Sequence, residues 1–313
     1  MKFALLLLVT LTFVRPAWAA GKVQVYILAG QSNMQGQGVV DLDHPMYYNG
    51  GKGILNNVMQ NPKMKEVYAH IKDPQGNYVV RDDVFVRHVT KEETKRGGLS
   101  IGFTSYSGKH HIGPEFQFGH LIGDATKQPV LLIKTAWGGK SIYKDFRPPS
   151  SGGEVGPYYK QMLDEIQQGL TAMQTEFPKL GKNYELAGFV WFQGWNDMFD
   201  KDALAQYETN LVNLVTDVRK SLGVEQLPVV IGETGNMGEE AGDNMKQIRL
   251  AQKDAAQQLD NAVFVKTTQF ARPKEESPNV GHGHHWFGNA ESYFLIGDAM
   301  GKAMIELKGL GSK

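Results

Sequence analysis

The 313-residue chain contains no cysteine, which removes disulfides, thiolate metal sites and a cysteine nucleophile together. It also lacks an excess of either charge: 33 Lys and Arg stand against 33 Asp and Glu, so neither a nucleic-acid surface nor a polybasic membrane patch is indicated. After the first residues, no apolar run approaches the roughly 20 residues needed to cross a bilayer. No internal repeat of fixed period and no low-complexity tract occurs, which argues against a solenoid and against a second domain on a linker.

At the amino terminus, Met1-Lys2 is followed by an apolar run from Phe3 to Val14, then Arg15-Pro16 and Ala17-Trp18-Ala19. A short basic start, a brief apolar stretch and a small-x-small site predict a signal peptide over residues 1–19. Without Lys2 and Arg15 the balance becomes 31 basic against 33 acidic side chains. The expectation is an exported protein, periplasmic or extracellular, for which a cysteine-free chain of this size suits a bacterial periplasm or exterior. Residues 20–313 are long enough for one large domain with a substantial core.

Within that span, Val23 to Ala29 reads as a strand buried on both faces,. A polar region follows from about residue 36 to 111, expected to be a surface insertion with short strands, for instance from Tyr78 to Val89. From Gly113 the pattern becomes regular. Helical stretches are expected over Pro114–Thr126, Tyr158–Glu176, Ala203–Leu222, Met245–Leu259 and Asn289–Leu307, and strands over Pro129–Thr135, Ala187–Phe192, Pro228–Ile231 and Ala262–Thr267,. Strands alternating with amphipathic helices predict a three-layer α/β/α sandwich around a five-stranded parallel sheet, with the flavodoxin-like order 2-1-3-4-5.

Three stretches carry candidate chemistry, each at a strand or helix end. Gly30-Gln31-Ser32-Asn33-Met34 ends the first strand, Gln193-Gly194-Trp195-Asn196-Asp197 ends a later one, and Gly281-His282-Gly283-His284-His285-Trp286-Phe287 precedes the last helix. A serine needs a neighbouring base to lose its proton on attack, and a tetrahedral intermediate needs fixed donors for its oxyanion. Ser32, the late histidines and Asn196 are residue types that could fill those roles. Solvated or metal-binding histidines are the alternative for His282, His284 and His285, although the sequence nominates no carboxylate partners for a metal. Trp137-Gly138-Gly139, after the strand ending at Thr135, could supply a further backbone donor.

These blocks, in this order, resemble the SGNH hydrolase superfamily, and within it the sialate O-acetylesterase-like and acetylxylan esterase-like carbohydrate esterases, whose first block reads Gly-Gln-Ser-Asn-Met. The resemblance implies Ser32 as nucleophile, His285 as base, and Ser32, Gly139 and Asn196 as oxyanion donors, with no metal or other cofactor. It implies substrate contacts from Gln31, Gln193, Trp195, Lys140 and Glu115, the last within Gly113-Pro114-Glu115. One feature departs from the family, where an aspartate commonly lies three residues before the base; here that position is His282. Asp197 is the expected replacement by strand-end placement, with Glu233, or no carboxylate at all, as the alternatives. The implied activity is removal of acetyl groups from sugars or polysaccharides through an acetyl-Ser32 intermediate. A non-catalytic carbohydrate-binding relative and a metal-dependent hydrolase are the other readings. No nucleic-acid partner is expected.

Overall fold

The computed structural model describes residues 21–311, so the expected signal peptide lies outside the described residues. The elements run β1 (Val23–Gly30), α1 (Ser32–Gln35), β2 (Gly38–Val39), α2 (Leu55–Val58), β3 (Val84–Val89), β4 (Thr94–Gly98), β5 (His111–Ile112) and α3 (Glu115–Ala125). They continue through β6 (Val130–Ala136), α4 (Pro157–Glu176), β7 (Tyr184–Phe192), α5 (Lys201–Leu222), β8 (Val229–Gly232), α6 (Asp243–Gln258), β9 (Ala262–Val265) and α7 (Ala290–Lys308).

The main sheet has seven strands in the order β4-β3-β6-β1-β7-β8-β9, not the expected five. Its β6-β1-β7-β8-β9 portion is parallel and reproduces the expected 2-1-3-4-5 order. The two further strands come from the polar region. There β3 pairs parallel with β6 and β4 closes the edge antiparallel. The insertion is therefore not confined to the surface: Leu55, Tyr68, Ile71, Val84, Val86 and Leu99 join the core. Its apolar residues are widely spaced in sequence, which hides a buried face that only tertiary pairing assembles.

Alternation along β1 divides the core in two. Val23, Val25, Ile27 and Ala29 face the layer holding α4, α5 and α6, whereas Tyr26 and Leu28 face the layer holding α3 and α7,. The register ends with Gly30 opposite Ala136 on one side and Phe192 on the other, so three strands stop together at their carboxyl ends. Gly30 has φ +153°, and a Cβ there would lie 2.1 Å from the Phe192 carbonyl oxygen. Only glycine allows this approach, after which the chain turns sharply into α1. Among the described residues, no helix is long and apolar enough to cross a membrane.

Beneath α1 lies a fully buried ion pair. Lys134, on β6, donates from Nζ to Glu115 Oε2 at 2.7 Å and to the carbonyl oxygens of Gln35 and Phe103, each at 2.8 Å. Burial pushes the Glu115 carboxyl up and the Lys134 ammonium down, so each ion relies on the other for compensation,. Glu115 also accepts from the Gly113 N–H at 3.1 Å. It therefore faces the interior and not a ligand, which corrects its expected place among the substrate contacts. The pair joins α3, β6, the insertion and the last turn of α1. Lys134→Met, which strands a buried carboxyl, is expected to cost about 3–5 kcal/mol, and Lys134→Met with Glu115→Leu less than that single change. Urea unfolding of the variants tests this. A loss below about 1 kcal/mol in Lys134→Met would show that the pair does not hold the fold.

Candidate active site

Ser32 opens α1 immediately after the Gly30 turn, where β1 delivers it to the carboxyl edge of the sheet. As the first helical residue, it presents an N–H that helix geometry leaves without an intrahelical acceptor. Its hydroxyl oxygen lies 3.0 Å from His285 Nε2, bridging residues 253 positions apart in sequence. Gln37 Nε2 donates to the Ser32 carbonyl at 3.4 Å, and the Tyr106 hydroxyl of the insertion donates to Gln37 Oε1.

His285 is held through its backbone. Asn33 Nδ2 donates to the His284 carbonyl at 3.0 Å. The Tyr293 hydroxyl donates to Asn33 Oδ1 at 2.6 Å and lies 3.3 Å from the His285 carbonyl oxygen. Trp286 and Phe287 both sit at φ +53°, a conformation costly for bulky residues,. Trp286 is nevertheless buried in the core, and Asn289 then caps α7 by accepting from the N–H groups of Glu291 and Ser292,. The core thus anchors the residue after His285, and Asn33 with Tyr293 fixes the backbone at it. Asn33 and Tyr293 were not among the expected site residues. Asn33 stands in the first block with nothing in sequence to mark its partners, and Tyr293 acts from a helix whose facing follows only from the fold.

The expected contact between Asp197 and His285 is not formed. Both Asp197 carboxylate oxygens are engaged elsewhere: Oδ1 accepts from the Tyr143 N–H at 3.0 Å, and Oδ2 accepts from the Ile142 N–H at 3.1 Å and from Gln193 Nε2 at 2.5 Å. Burial pushes its carboxyl up to about 6 against these donors. Asp197 thereby ties the third block to the loop after β6. Glu233 is spent similarly, its Oε2 accepting from the N–H groups of Thr267 and Thr268 and from the Thr268 hydroxyl, each at 2.7 Å. Among the described residues, no carboxylate hydrogen-bonds to His285. Its ring lies 4.0 Å, centroid to centroid, from that of His284 and 6.1 Å from that of His282. Burial, and then these two neighbours, lower the His285 pKa to about 3, so the ring is neutral at neutral pH, and in the tautomer with its proton on Nδ1 the Nε2 accepts from the Ser32 hydroxyl,.

Two expected substrate contacts are instead interior struts. Gln31 Oε1 accepts from the Gly194 N–H at 3.1 Å, tying the first block to the third. Gln193 Nε2 donates to the Lys140 carbonyl at 2.9 Å as well as to Asp197, and its own carbonyl accepts from the Tyr207 hydroxyl at 2.7 Å. Lys140 reaches Asp145 at 3.4 Å and lies 4.4 Å from the Tyr158 ring centroid. Trp195 is half-buried and faces outward, its ring 5.7 Å from that of His284. In the double glycine, a Cβ on Gly138 would come 3.6 Å from Ser32 Cβ, whereas one on Gly139 would meet nothing within 4 Å. Gly138 therefore packs beside the serine. Gly139, at φ +70°, provides the turn,. The Asn196 side chain is half-buried and makes no hydrogen bond among the described residues, leaving its amide free to donate.

Two measurements check this arrangement. Imidazole nitrogen NMR is expected to find His285 still neutral at about pH 5, below the ordinary histidine value of about 6.5. Because the folded pKa is depressed, the protein is expected to lose stability as pH falls below that ordinary value, where the unfolded chain binds the proton first. Half-protonation of His285 at or above about pH 6.5 would mean that a carboxylate lies against the ring. Asp197→Asn is expected to destabilise by about 1–3 kcal/mol, through weakened bonds to Ile142 and Tyr143, without moving the His285 titration. A loss of about 10⁴ in turnover at unchanged stability would instead be the signature of a triad aspartate.

Known proteins share both the sequence and the fold. Residues 22–306 match the family of carbohydrate esterases described as sialic acid-specific acetylesterases. A protein of Arabidopsis thaliana named a probable carbohydrate esterase is 24% identical over 213 residues, covering 66% of this chain and 67% of that one. The crystal structure of that same Arabidopsis thaliana protein superposes with a TM-score of 0.59 at 15% identity, over 91% of this chain and 99% of the crystallised one. A carbohydrate acetylesterase from Xanthomonas citri superposes with a TM-score of 0.55 at 15% identity, over 91% of this chain and 56% of that one. At these identities the structural likenesses speak for the fold, while the match over residues 22–306 speaks for descent. The chain belongs to the sialic acid-specific acetylesterase family of carbohydrate esterases.

Proposed function

We propose that the protein is an exported carbohydrate O-acetylesterase that works through an acetyl-serine intermediate. The observation that carries this reading is the 3.0 Å approach of Ser32 Oγ to His285 Nε2 at the carboxyl edge of the sheet. In the proposed reaction, Ser32 Oγ attacks the acetyl carbonyl carbon as His285 Nε2 accepts its proton. The Ser32 N–H, a backbone N–H of the Gly138-Gly139 turn and the Asn196 amide serve as oxyanion donors. Collapse of the intermediate expels the sugar oxygen, which takes the proton back from His285. Water, deprotonated by the same nitrogen, then attacks the acetyl carbon, and Ser32 Oγ leaves with that proton as acetate is released. Export is proposed from the charged, apolar and small-x-small order of residues 1–19,.

Specific features of the geometry favour a two-residue catalytic unit. With Asp197 and Glu233 both engaged elsewhere, His285 takes up the proton without a partner carboxylate. Purified protein is expected to hydrolyse aryl acetates, insensitively to exhaustive chelation. Ser32→Ala is expected to lower kcat by at least about 10⁴ while leaving the circular dichroism and unfolding midpoint in place. Wild-type rates in Ser32→Ala would refute the serine mechanism. Chelator-sensitive activity restored by added metal would replace it with metal-assisted hydrolysis.

A further inference from the structure

The helix that carries the nucleophile cannot hold its own shape. Helix α1 is four residues long, and its Gln31 N-cap makes no side-chain cap bond. Its full-turn bonds run from the Gln35 N–H to the Gln31 carbonyl and from the Gly36 N–H to the Ser32 carbonyl, each at 3.0 Å. A single turn is marginal by itself, because closing it fixes several backbone dihedrals for few bonds. Its orientation therefore comes from outside. The Gly194 N–H holds the Gln31 side chain, and Lys134 Nζ holds the Gln35 carbonyl. The Ser32 carbonyl is held from a third side, by the polar insertion.

Residues 102–111 of the insertion form a closed loop, in which the Gly102 N–H donates to the His111 carbonyl at 2.9 Å. From β4, Lys95 Nζ donates to the Gly102 carbonyl at 3.0 Å and to the Tyr106 carbonyl, so one ammonium clamps the first half of the loop. The Phe103 carbonyl accepts from Lys134, the same ammonium that holds Gln35. The Tyr106 ring lies against that of His111, with centroids 4.2 Å apart and planes 23° from parallel. His111 is itself buried, and pairs on β5 with Val39 of β2. With backbone and ring both held, the Tyr106 hydroxyl donates to Gln37 Oε1, and the buried Gln37 donates from Nε2 to the Ser32 carbonyl at 3.4 Å. A side-chain amide can relay a contact in this way because it carries an acceptor on one arm and donors on the other.

We propose that Tyr106 is a positioning residue for the nucleophile, acting through Gln37 on the Ser32 carbonyl. The inference rests on Ser32 being the nucleophile of the reading above. The carbonyl so held belongs to the residue that offers both the attacking hydroxyl and an oxyanion N–H, so a rotation of the Ser32 backbone displaces both together. A misplacement of about 1 Å can cost roughly 10²-fold in rate. Because the Tyr106 hydroxyl is given to Gln37, its loss is felt in the rate of attack and not in the affinity for substrate,. The insertion thereby serves the chemistry without supplying a reacting group to it.

Labelling of Ser32 by a fluorophosphonate, followed by intact mass, tests this without depending on acetate turnover. Ser32 Oγ displaces fluoride from phosphorus, a reaction that needs the same nucleophile and the same N–H donors. Tyr106→Phe, which keeps the ring on His111 and removes the hydroxyl, is expected to slow labelling at least about fivefold at a temperature where circular dichroism shows the variant fully folded. Gln37→Leu is expected to slow it at least as much, and the double change no more than about twofold beyond Gln37→Leu alone, because one chain of bonds is cut twice. With an aryl acetate, Tyr106→Phe is expected to lower kcat by a similar factor and to leave KM within about twofold. Wild-type labelling in Tyr106→Phe, losses that multiply in the double change, or an effect confined to KM would overturn the proposal, the last by making Tyr106 a substrate contact. Wild type that is labelled at Ser32 but hydrolyses no acetate would remove the esterase reading and leave the positioning to be decided by the labelling rates. Absence of labelling at Ser32 in wild type would remove both.

Discussion

The site depends on where β1 stops. Pinned in register between β6 and β7, the strand ends with Gly30 against the Phe192 carbonyl, at a separation that excludes any side chain. The loops that begin at Gln31, Trp137 and Gln193 are therefore forced to start side by side at the point where the order of the sheet reverses,. The sheet sets only their starting points. Interior hydrogen bonds then lock the loops to one another: Gln31 to Gly194, Asp197 to Ile142 and Tyr143, and Gln193 to Lys140. Lys134 and Glu115 support the last turn of α1 from below. The polar residues surrounding the serine mostly hold the loops that hold the serine.

Against this rigid support, His285 arrives from the far end of the chain. Two consecutive left-handed residues and the buried Trp286 direct its ring, and Asn33 with Tyr293 fixes its backbone. Among the described residues, no carboxylate hydrogen-bonds to its ring. A triad aspartate stabilises the imidazolium that forms during attack, so a dyad must rely more heavily on oxyanion donors and positioning. Burial keeps the ring unprotonated and ready to accept a proton, but it also makes the charged form costly,. The arrangement favours readiness over the ease of proton uptake.

The order of the five parallel strands was legible because each is a short apolar run bounded by turns and followed by an amphipathic helix. The β3 strand falls within the expected stretch from Tyr78 to Val89, though its place in the main sheet was not legible, and β4 was not expected, since Thr94 to Gly98 is polar and glycine-rich and becomes a strand by pairing at an edge. Ser32 and His285 could be chosen from ordered blocks even though 253 positions separate them. The roles of Gln31, Gln193, Glu115 and Asp197 could not. A polar residue beside a nucleophile looks the same in sequence whether it touches substrate or ties two loops together. Burial decides between these, and burial of a polar side chain follows from partners far along the chain. The missing carboxylate was visible as His282 in place of an aspartate, but the commitments of Asp197 and Glu233 needed coordinates.

In the proposed reaction Ser32 becomes covalently acetylated as His285 takes up its proton. The most direct measurement is rapid acid quench of the protein during turnover of an aryl acetate, followed by intact-mass analysis and peptide mapping. One added acetyl group is expected, located on Ser32, lost in Ser32→Ala and formed far more slowly in His285→Ala. Product accumulating with no adduct on Ser32, or an acetyl group carried by another residue at the rate of turnover, would contradict it.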